Sequence, residues 1–213
     1  MADHDDPYHR RGLRLNPFAY GDAELDAAGW ADRGLPPPAE PGQRRLVQVI
    51  GVSGAGKTTT LRRWAAAAPG PWYYVPRGPR RLRPLPIAPL VYWDEANRAP
   101  AVLRRRALRT AARLGYTVVA GTHDDLTVDA RVAGLVVDTI TLSTITAADL
   151  TDWAAKRFAA SSAGDGTSPQ WRLPGPVAAD IAARAGTSWR TAGDLLHAWV
   201  AREVADHAAH PTE

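Results

Sequence analysis

The sequence predicts an α/β protein, with a five-stranded parallel sheet flanked by helices and a small all-helical part after it. Three observations predict this. Short apolar, β-branched runs alternate with helix-length segments up to about residue 143. Beyond that point the strand-like runs stop and only helical segments follow. A glycine-rich stretch joins the first strand-like run directly to the first long helix, as in a parallel βα unit.

Residues 1–42 open the chain poorly. They hold Asn16-Pro17-Phe18, a short helix-like stretch at Asp22–Ala31, then Pro36-Pro37-Pro38 and Pro41-Gly42. This reads as an extended arm ending in a proline linker. The first strand is Arg45–Ile50, β-branched and closed by glycine. A helix over Lys57–Ala68 stops at Pro69-Gly70, and Trp72–Val75 is the second strand. Pro76–Pro89 is too rich in proline and glycine to be regular. Leu90–Trp93 is the third strand, Ala99–Leu114 a helix, and Tyr116–Ala120 the fourth strand. Leu126–Val132 gives one or two helical turns, and Leu135–Ile140 is the fifth strand. Thr146 then caps a helix to Ala160, with Asp149 in its first turn. A Gly/Ser loop spans Ser161–Ser168, and Pro176–Ala185 and Ser188–His207 form two last helices. The expected organisation is therefore arm and linker at 1–42, α/β core at 43–143 and helical lid at 144–213.

Composition bounds the rest. A chain of 213 residues, 45% hydrophobic and 23% charged, can bury a core without staples. It has no cysteine, which excludes disulfides, thiolate zinc sites and cysteine nucleophiles. The N-terminus lacks an apolar signal region, and no run is long enough to span a membrane, so a cytoplasmic protein is expected. Only two of the 26 basic residues are lysines, Lys57 and Lys156. The arginine excess matches the coding bias of a GC-rich genome, so a retained lysine is the sharper signal.

Lys57 lies in Gly51-Val52-Ser53-Gly54-Ala55-Gly56-Lys57-Thr58, a full match to G-x-x-x-x-G-K-[ST] between a strand and a helix. Glycines let the backbone N–H groups converge on phosphate oxygens, and the helix N-terminus adds positive potential. Gly51, Ser53, Gly54, Ala55, Gly56, Lys57, Thr58 and Thr59 are the expected nucleotide cradle. Lys57 would reach the β- and γ-phosphates, and Thr58 would offer its hydroxyl to Mg²⁺.

Asp94-Glu95 ends the apolar third strand, at the carboxyl edge where open α/β sheets bind ligands. Asp94 is the expected Mg²⁺ partner through its water shell, and Glu95 the group that orients the attacking water. A solvated acidic turn is the bland alternative. Thr122-His123-Asp124-Asp125 ends the fourth strand. Thr122, His123 or the pair could meet the γ-phosphate or the lytic water, with Thr122 preferred. Asp124 or Asp125 serves equally well as a helix cap.

These residues resemble those of ASCE-type P-loop ATPases, and five strands followed by helices resemble the AAA+ group. That resemblance implies a three-layer core with strand order 5-1-4-3-2 and nucleotide bound between core and lid. Thr139–Leu142, then Thr146–Leu150 and Arg157, resembles the strand-to-lid junction of the group. Gly186–Arg190 is similar to its sensor 2 segment, which implies that Arg190 reaches the phosphates from the lid. Small bacterial ATPases that assist secretion or transposition, and STAND regulators, look nearest. Asn16-Pro17-Phe18 is similar to the first of these. No arginine finger stands out; Arg131, before the fifth strand, lies where one could sit, but a surface arginine is the favoured reading. A histidine after the fourth strand also resembles ABC ATPases, but no Leu-Ser-Gly-Gly-Gln-like signature is present.

Arg77–Arg113 holds ten arginines against two acids. A nucleic-acid contact is conceivable there, but a solvated or partner-facing surface is favoured. The expected partners are nucleotide and a protein partner or further copies of the chain, since no effector domain is evident. The functional expectation is Mg²⁺-dependent ATP hydrolysis that drives or gates a partner or self-assembly. A small-molecule kinase and a nucleotide-gated module with little turnover are the alternatives.

Overall fold

A computed structural model describes residues 6–28, 35, 40–163 and 171–209 of the chain. In chain order the elements are α1 (Ala23–Ala28), β1 (Arg45–Ile50), α2 (Lys57–Ala67), β2 (Trp72–Tyr74), β3 (Leu90–Asp94), α3 (Ala101–Leu114), β4 (Thr117–Thr122), α4 (Thr127–Ala133), β5 (Val136–Thr141), α5 (Ala147–Ala160), α6 (Gly175–Ala185) and α7 (Trp189–Ala209). They form two compact units, Leu35–Ser143 and Met1–Gly34 with Thr144–Glu213.

In the first unit all five strands are parallel, in the order β2-β3-β4-β1-β5. Read from the other edge this is 5-1-4-3-2, the expected order. The central strands β3 and β4 are buried along their whole length. Burial on both faces explains why they read as continuous apolar runs rather than alternating ones. One face of the sheet packs on α2, where Leu61 and Trp64 meet Val47, Val49, Tyr92 and Val119. The other packs on α3 and α4, where Leu108, Ala111 and Ala130 meet Leu46, Val91, Trp93 and Val118. The three-layer core is thus present, and each fully buried Leu or Val contributes roughly 1.5–3 kcal/mol.

Two strands outrun their apolar signal. β3 continues to Asp94, which pairs with Tyr74, and β4 continues to Thr122, which pairs with Ile50. Ladder hydrogen bonds use the backbone, so a polar side chain at the strand end does not stop them. These two extensions carry the polar residues to the carboxyl edge of the sheet. The irregular 76–89 stretch contains a 3₁₀ turn at Gly78–Leu82 and buries Leu85.

A polar side chain organises the same edge from within. Gln48 on β1 is fully buried. Its Nε2 lies 2.7 Å from Asp125 Oδ1, 2.8 Å from Thr139 Oγ1 and 2.9 Å from Thr127 Oγ1. Its Oε1 accepts from the buried Leu126 N–H at 2.8 Å. Asp125 and Thr139 are exposed and can turn to water, whereas the Leu126 N–H cannot. Gln48→Leu should therefore cost about 1–3 kcal/mol, the penalty of one orphaned buried donor, read as a lower urea midpoint.

The second unit is helical. Thr146 and Asp149 form the expected capping box: Asp149 N–H donates to Thr146 Oγ1 at 3.1 Å, and Thr146 N–H to Asp149 Oδ2 at 2.8 Å. Its core joins Leu150, Trp153 and Phe158 of α5 to Ile181 of α6 and Leu196 and Val200 of α7.

The arm expected at the N-terminus is packed into this helical core. Leu13 and Phe18 are 1% and 2% exposed within it. Asn16 Nδ2 donates to His197 O at 3.1 Å, and Arg157 Nε donates to Pro17 O at 2.5 Å. Phe18 sits 5.2 Å from the Trp153 ring, centroid to centroid. Asn16-Pro17-Phe18 is therefore an anchor to α5 and α7. Pro36–Pro38 of the expected linker and residues 164–170 of the Gly/Ser loop lie outside the described residues.

Candidate functional site

The loop between β1 and α2 turns sharply because Gly54 and Gly56 take φ of 81° and 98°, a region costly for any residue with a Cβ. Gly56 precedes α2 with no side-chain cap, so the N-terminal N–H groups of this helix have no side-chain acceptor. Gly51 allows a second close approach, since a Cβ there would lie 3.0 Å from that of Ala55. The expected cradle of Gly51, Ser53, Gly54, Ala55, Gly56, Lys57, Thr58 and Thr59 thus spans one loop and the first turn of α2.

Lys57 is 4% exposed, and its Nζ donates to Gly51 O at 2.7 Å and Val52 O at 2.9 Å. The ammonium is held over its own loop by neutral acceptors. Burial pulls its pKa below the ordinary lysine value, and the charges of Glu95 and Asp94 oppose that shift.

Thr58 and Asp94 meet directly: Thr58 Oγ1 donates to Asp94 Oδ2 at 2.8 Å. Asp94 is fully buried, and its Oδ1 has no hydrogen-bond partner. Burial pushes its pKa up, with the Thr58 hydrogen bond opposing. Gly121 on β4 makes room for this oxygen, since a Cβ there would lie 3.0 Å from Oδ1. A buried carboxylate oxygen without a donor, beside a hydroxyl, fits a cation. Among the described residues no cluster of three or more His, Asp or Glu side chains is placed to chelate a metal. A Mg²⁺ ion at Thr58 and Asp94 would therefore complete its shell with phosphate oxygens and water, its usual habit.

Glu95 follows with φ 58° and ψ 39°, a left-handed conformation rare for a residue with a side chain. Its Oε2 lies 3.1 Å from Arg98 Nη2 and 3.4 Å from His123 Nε2. Both are ion-pair distances, yet neither contact has hydrogen-bond geometry, and the oxygen is buried. His123 Nε2 also lies 3.4 Å from Lys57 Nζ. Its backbone N–H reaches Asn97 Oδ1 at 3.4 Å.

Thr122, the preferred candidate from the sequence, and His123 differ sharply in placement. The Thr122 hydroxyl donates to Asp124 O at 2.8 Å and accepts from Asp124 N–H at 3.0 Å. It is consumed in a local turn, and the residue is fully buried. His123 is the one whose ring stands between Lys57 and Glu95. Asp125 is held by Gln48 and the Thr127 N–H, and Asp124 supplies backbone to the turn.

Arg98 and Asn97 went unread in the sequence. Their only signal is their place two and three residues after Glu95, on one 3₁₀ turn. Arg131 is exposed near the end of α4. Arg190 belongs to the helical unit, is exposed at the start of α7, and its carbonyl accepts from Tyr20 OH at 3.3 Å. On α3, Arg104 and Arg105 both pair with Asp129 of α4, at 2.9 and 2.7 Å. Part of the arginine run is therefore neutralised within the fold.

No protein-family model matches the chain, and no curated protein matches it. Among solved structures it is similar to Cdc6p from Pyrobaculum aerophilum, at 16% identity and a TM-score of 0.40. That match covers 79% of this chain and 65% of the other, so the chain spans less than two thirds of that protein's length. The fold assignment stands on the strand order and loop geometry of this chain itself. No helix among the described residues is long and apolar enough to cross a membrane.

Proposed function

We propose that this protein binds ATP with Mg²⁺ at the Lys57–Thr58–Asp94–Glu95 cluster and hydrolyses it. In this reading it is a small cytoplasmic AAA+-like ATPase whose cycle drives or gates a partner or its own assembly. One observation carries the reading. Asp94 keeps a buried, partnerless carboxylate oxygen beside the Thr58 hydroxyl, at the uncapped N-terminus of α2. An isolated buried charge is costly, and a site that retains one is built for a cation and anion that arrive together.

The chain's own groups divide the work. Backbone N–H groups of the 51–58 loop and the first turn of α2 bind phosphate oxygens. Lys57 exchanges its two loop carbonyls for phosphate oxygens, which are stronger acceptors. Thr58 and Asp94 would hold Mg²⁺, which when bound neutralises phosphate charge. Glu95 accepts a hydrogen bond from the attacking water and orients it. His123 adds a ring nitrogen beside Lys57. Absence of an Asn-Lys-x-Asp motif favours ATP over GTP.

A second reading, a nucleotide-gated module with little turnover, draws on the Arg98 and His123 contacts of Glu95. Turnover separates the two. The test of binding is Lys57→Ala, for which affinity for a fluorescent ATP analogue should fall about 10–100-fold, the loss of charge-assisted hydrogen bonds to phosphate. Unchanged affinity would sink the site assignment.

A further inference from the structure

One of the two edges of the sheet is β2, and it is unusual. Strand β2 pairs on one side only, with β3. Two of its three side chains, Trp72 and Tyr74, point to the same face and are 37% and 43% exposed. Their rings stack at 6.4 Å with 25° between planes. Each ring also carries a guanidinium: Arg62 lies 5.2 Å over Trp72, and Arg98 lies 5.2 Å over Tyr74. Exposed edge strands are normally blunted with charge or proline, not faced with two aromatic rings.

The sequence leading into and out of β2 is basic. Between Glu40 and Asp94 the sequence has nine basic residues and no acid. Four of them, Arg77, Arg80, Arg81 and Arg83, follow β2 directly, are exposed, and have no acidic partner among the described residues. Two copies meeting through this edge would bring like charges together, which disfavours a symmetric self-contact. Flat stacked rings beside a basic, acid-free strip match a different ligand. Unpaired bases stack on aromatic side chains, while arginines track the phosphates.

We infer that the β2 edge binds single-stranded nucleic acid, with bases on Trp72 and Tyr74 and the phosphate backbone along Arg77–Arg83. The edge is wired to the candidate hydrolytic site. Arg98 Nη1 donates to Tyr74 OH at 2.5 Å, and its Nη2 stands 3.1 Å from Glu95 Oε2. A base that stacks on Tyr74 shifts the hydroxyl to which Arg98 donates and so loosens the hold of Arg98 on Glu95. Arg98 is thus a positioning residue. This coupling rests on the ATPase reading above, whereas strand binding does not.

The test is fluorescence anisotropy of a labelled oligo-dT without nucleotide, against the full chain. Trp72→Ala should weaken binding about 5–150-fold, the contribution of one base–aromatic stack. An abasic strand of equal length should lose a similar factor on the native protein. Raising salt should weaken every variant. Equal affinity of native and Trp72→Ala protein, or of oligo-dT and the abasic strand, would overturn the inference. So would a dimer in sedimentation that Trp72→Ala dissociates, with no oligo-dT bound by either protein. Tyr74→Phe keeps the ring and removes the hydroxyl held by Arg98. It should bind oligo-dT like the native chain, yet lose the strand-induced change in ATP hydrolysis that the native chain shows. If neither protein hydrolyses ATP, the ATPase reading fails while the anisotropy result still decides strand binding.

Discussion

Glu95→Gln is expected to reduce ATP hydrolysis by about 10²–10⁴-fold, the usual contribution of a positioned general base, with ATP affinity little changed. The amide has the same shape and can still accept a hydrogen bond from water, but it cannot draw a proton from it. A drop in affinity without a drop in turnover would sink this role. The substitution also has a readout outside turnover. Glu95 is the charge that does most to hold up the Lys57 pKa against burial. With that charge removed, Lys57 should lose its proton at lower pH. Phosphate binding needs the ammonium, so affinity is present below the folded pKa of Lys57 and lost as pH rises through it. The alkaline limb of ATP binding should therefore move to lower pH in Glu95→Gln. Titrating a fluorescent ATP analogue across the alkaline range checks this, and coincident limbs would mean that Glu95 does not face Lys57 in solution.

Most of the core was legible because its signals are local. Leu90–Trp93 and Val118–Ala120 are buried on both faces, so they read as unbroken apolar runs. Thr146 and Asp149 lie within one turn, so their capping box was readable three residues apart. Contacts across the chain left no such trace. Phe18 and Pro17 meet Arg157, whose backbone bond to Pro17 spans 140 residues, and an isolated Phe in a polar stretch says nothing of its partner. Nothing in the pattern of its strand marks Gln48, which fastens the loop after β4 at Asp125 and Leu126. The difference in placement between Thr122 and His123 comes from a local turn. A Ser/Thr turn satisfies the Thr122 hydroxyl locally, and no pattern of residue types encodes that. The wiring of Tyr74 to Glu95 through Arg98 was likewise invisible, because it joins two neighbouring strand ends across 24 residues.

Asp94→Asn should give a chain that is more stable at neutral pH and unable to use Mg²⁺. Asparagine can still accept the Thr58 hydroxyl, so the 2.8 Å hydrogen bond survives in kind. What disappears is a buried negative charge whose second oxygen has no donor. A neutral amide at that position costs less to bury than a carboxylate. A gain of about 1 kcal/mol, or roughly 2–4 °C in Tm for a chain of this size, is the expected scale. The pH dependence has a fixed sign. The folded pKa of Asp94 lies above its unfolded value, so folding disfavours the ionised form. The penalty is absent below the unfolded carboxylate pKa of about 3.9, grows as pH rises through the folded value, and is complete above it. The advantage of Asp94→Asn should therefore be large near neutrality and vanish in acid, when both proteins carry a neutral side chain. Thermal unfolding at the two pH values measures it. Adding Mg²⁺ with ATP should then reverse the ranking, since a ligand stabilises the form that binds it by RT ln(1 + [L]/Kd). The native chain should gain, and Asp94→Asn should gain little. An asparagine variant less stable at neutral pH would mean that Lys57 already neutralises Asp94 in the free protein. Equal stabilisation of both chains by Mg²⁺ and ATP would remove Asp94 from the metal site.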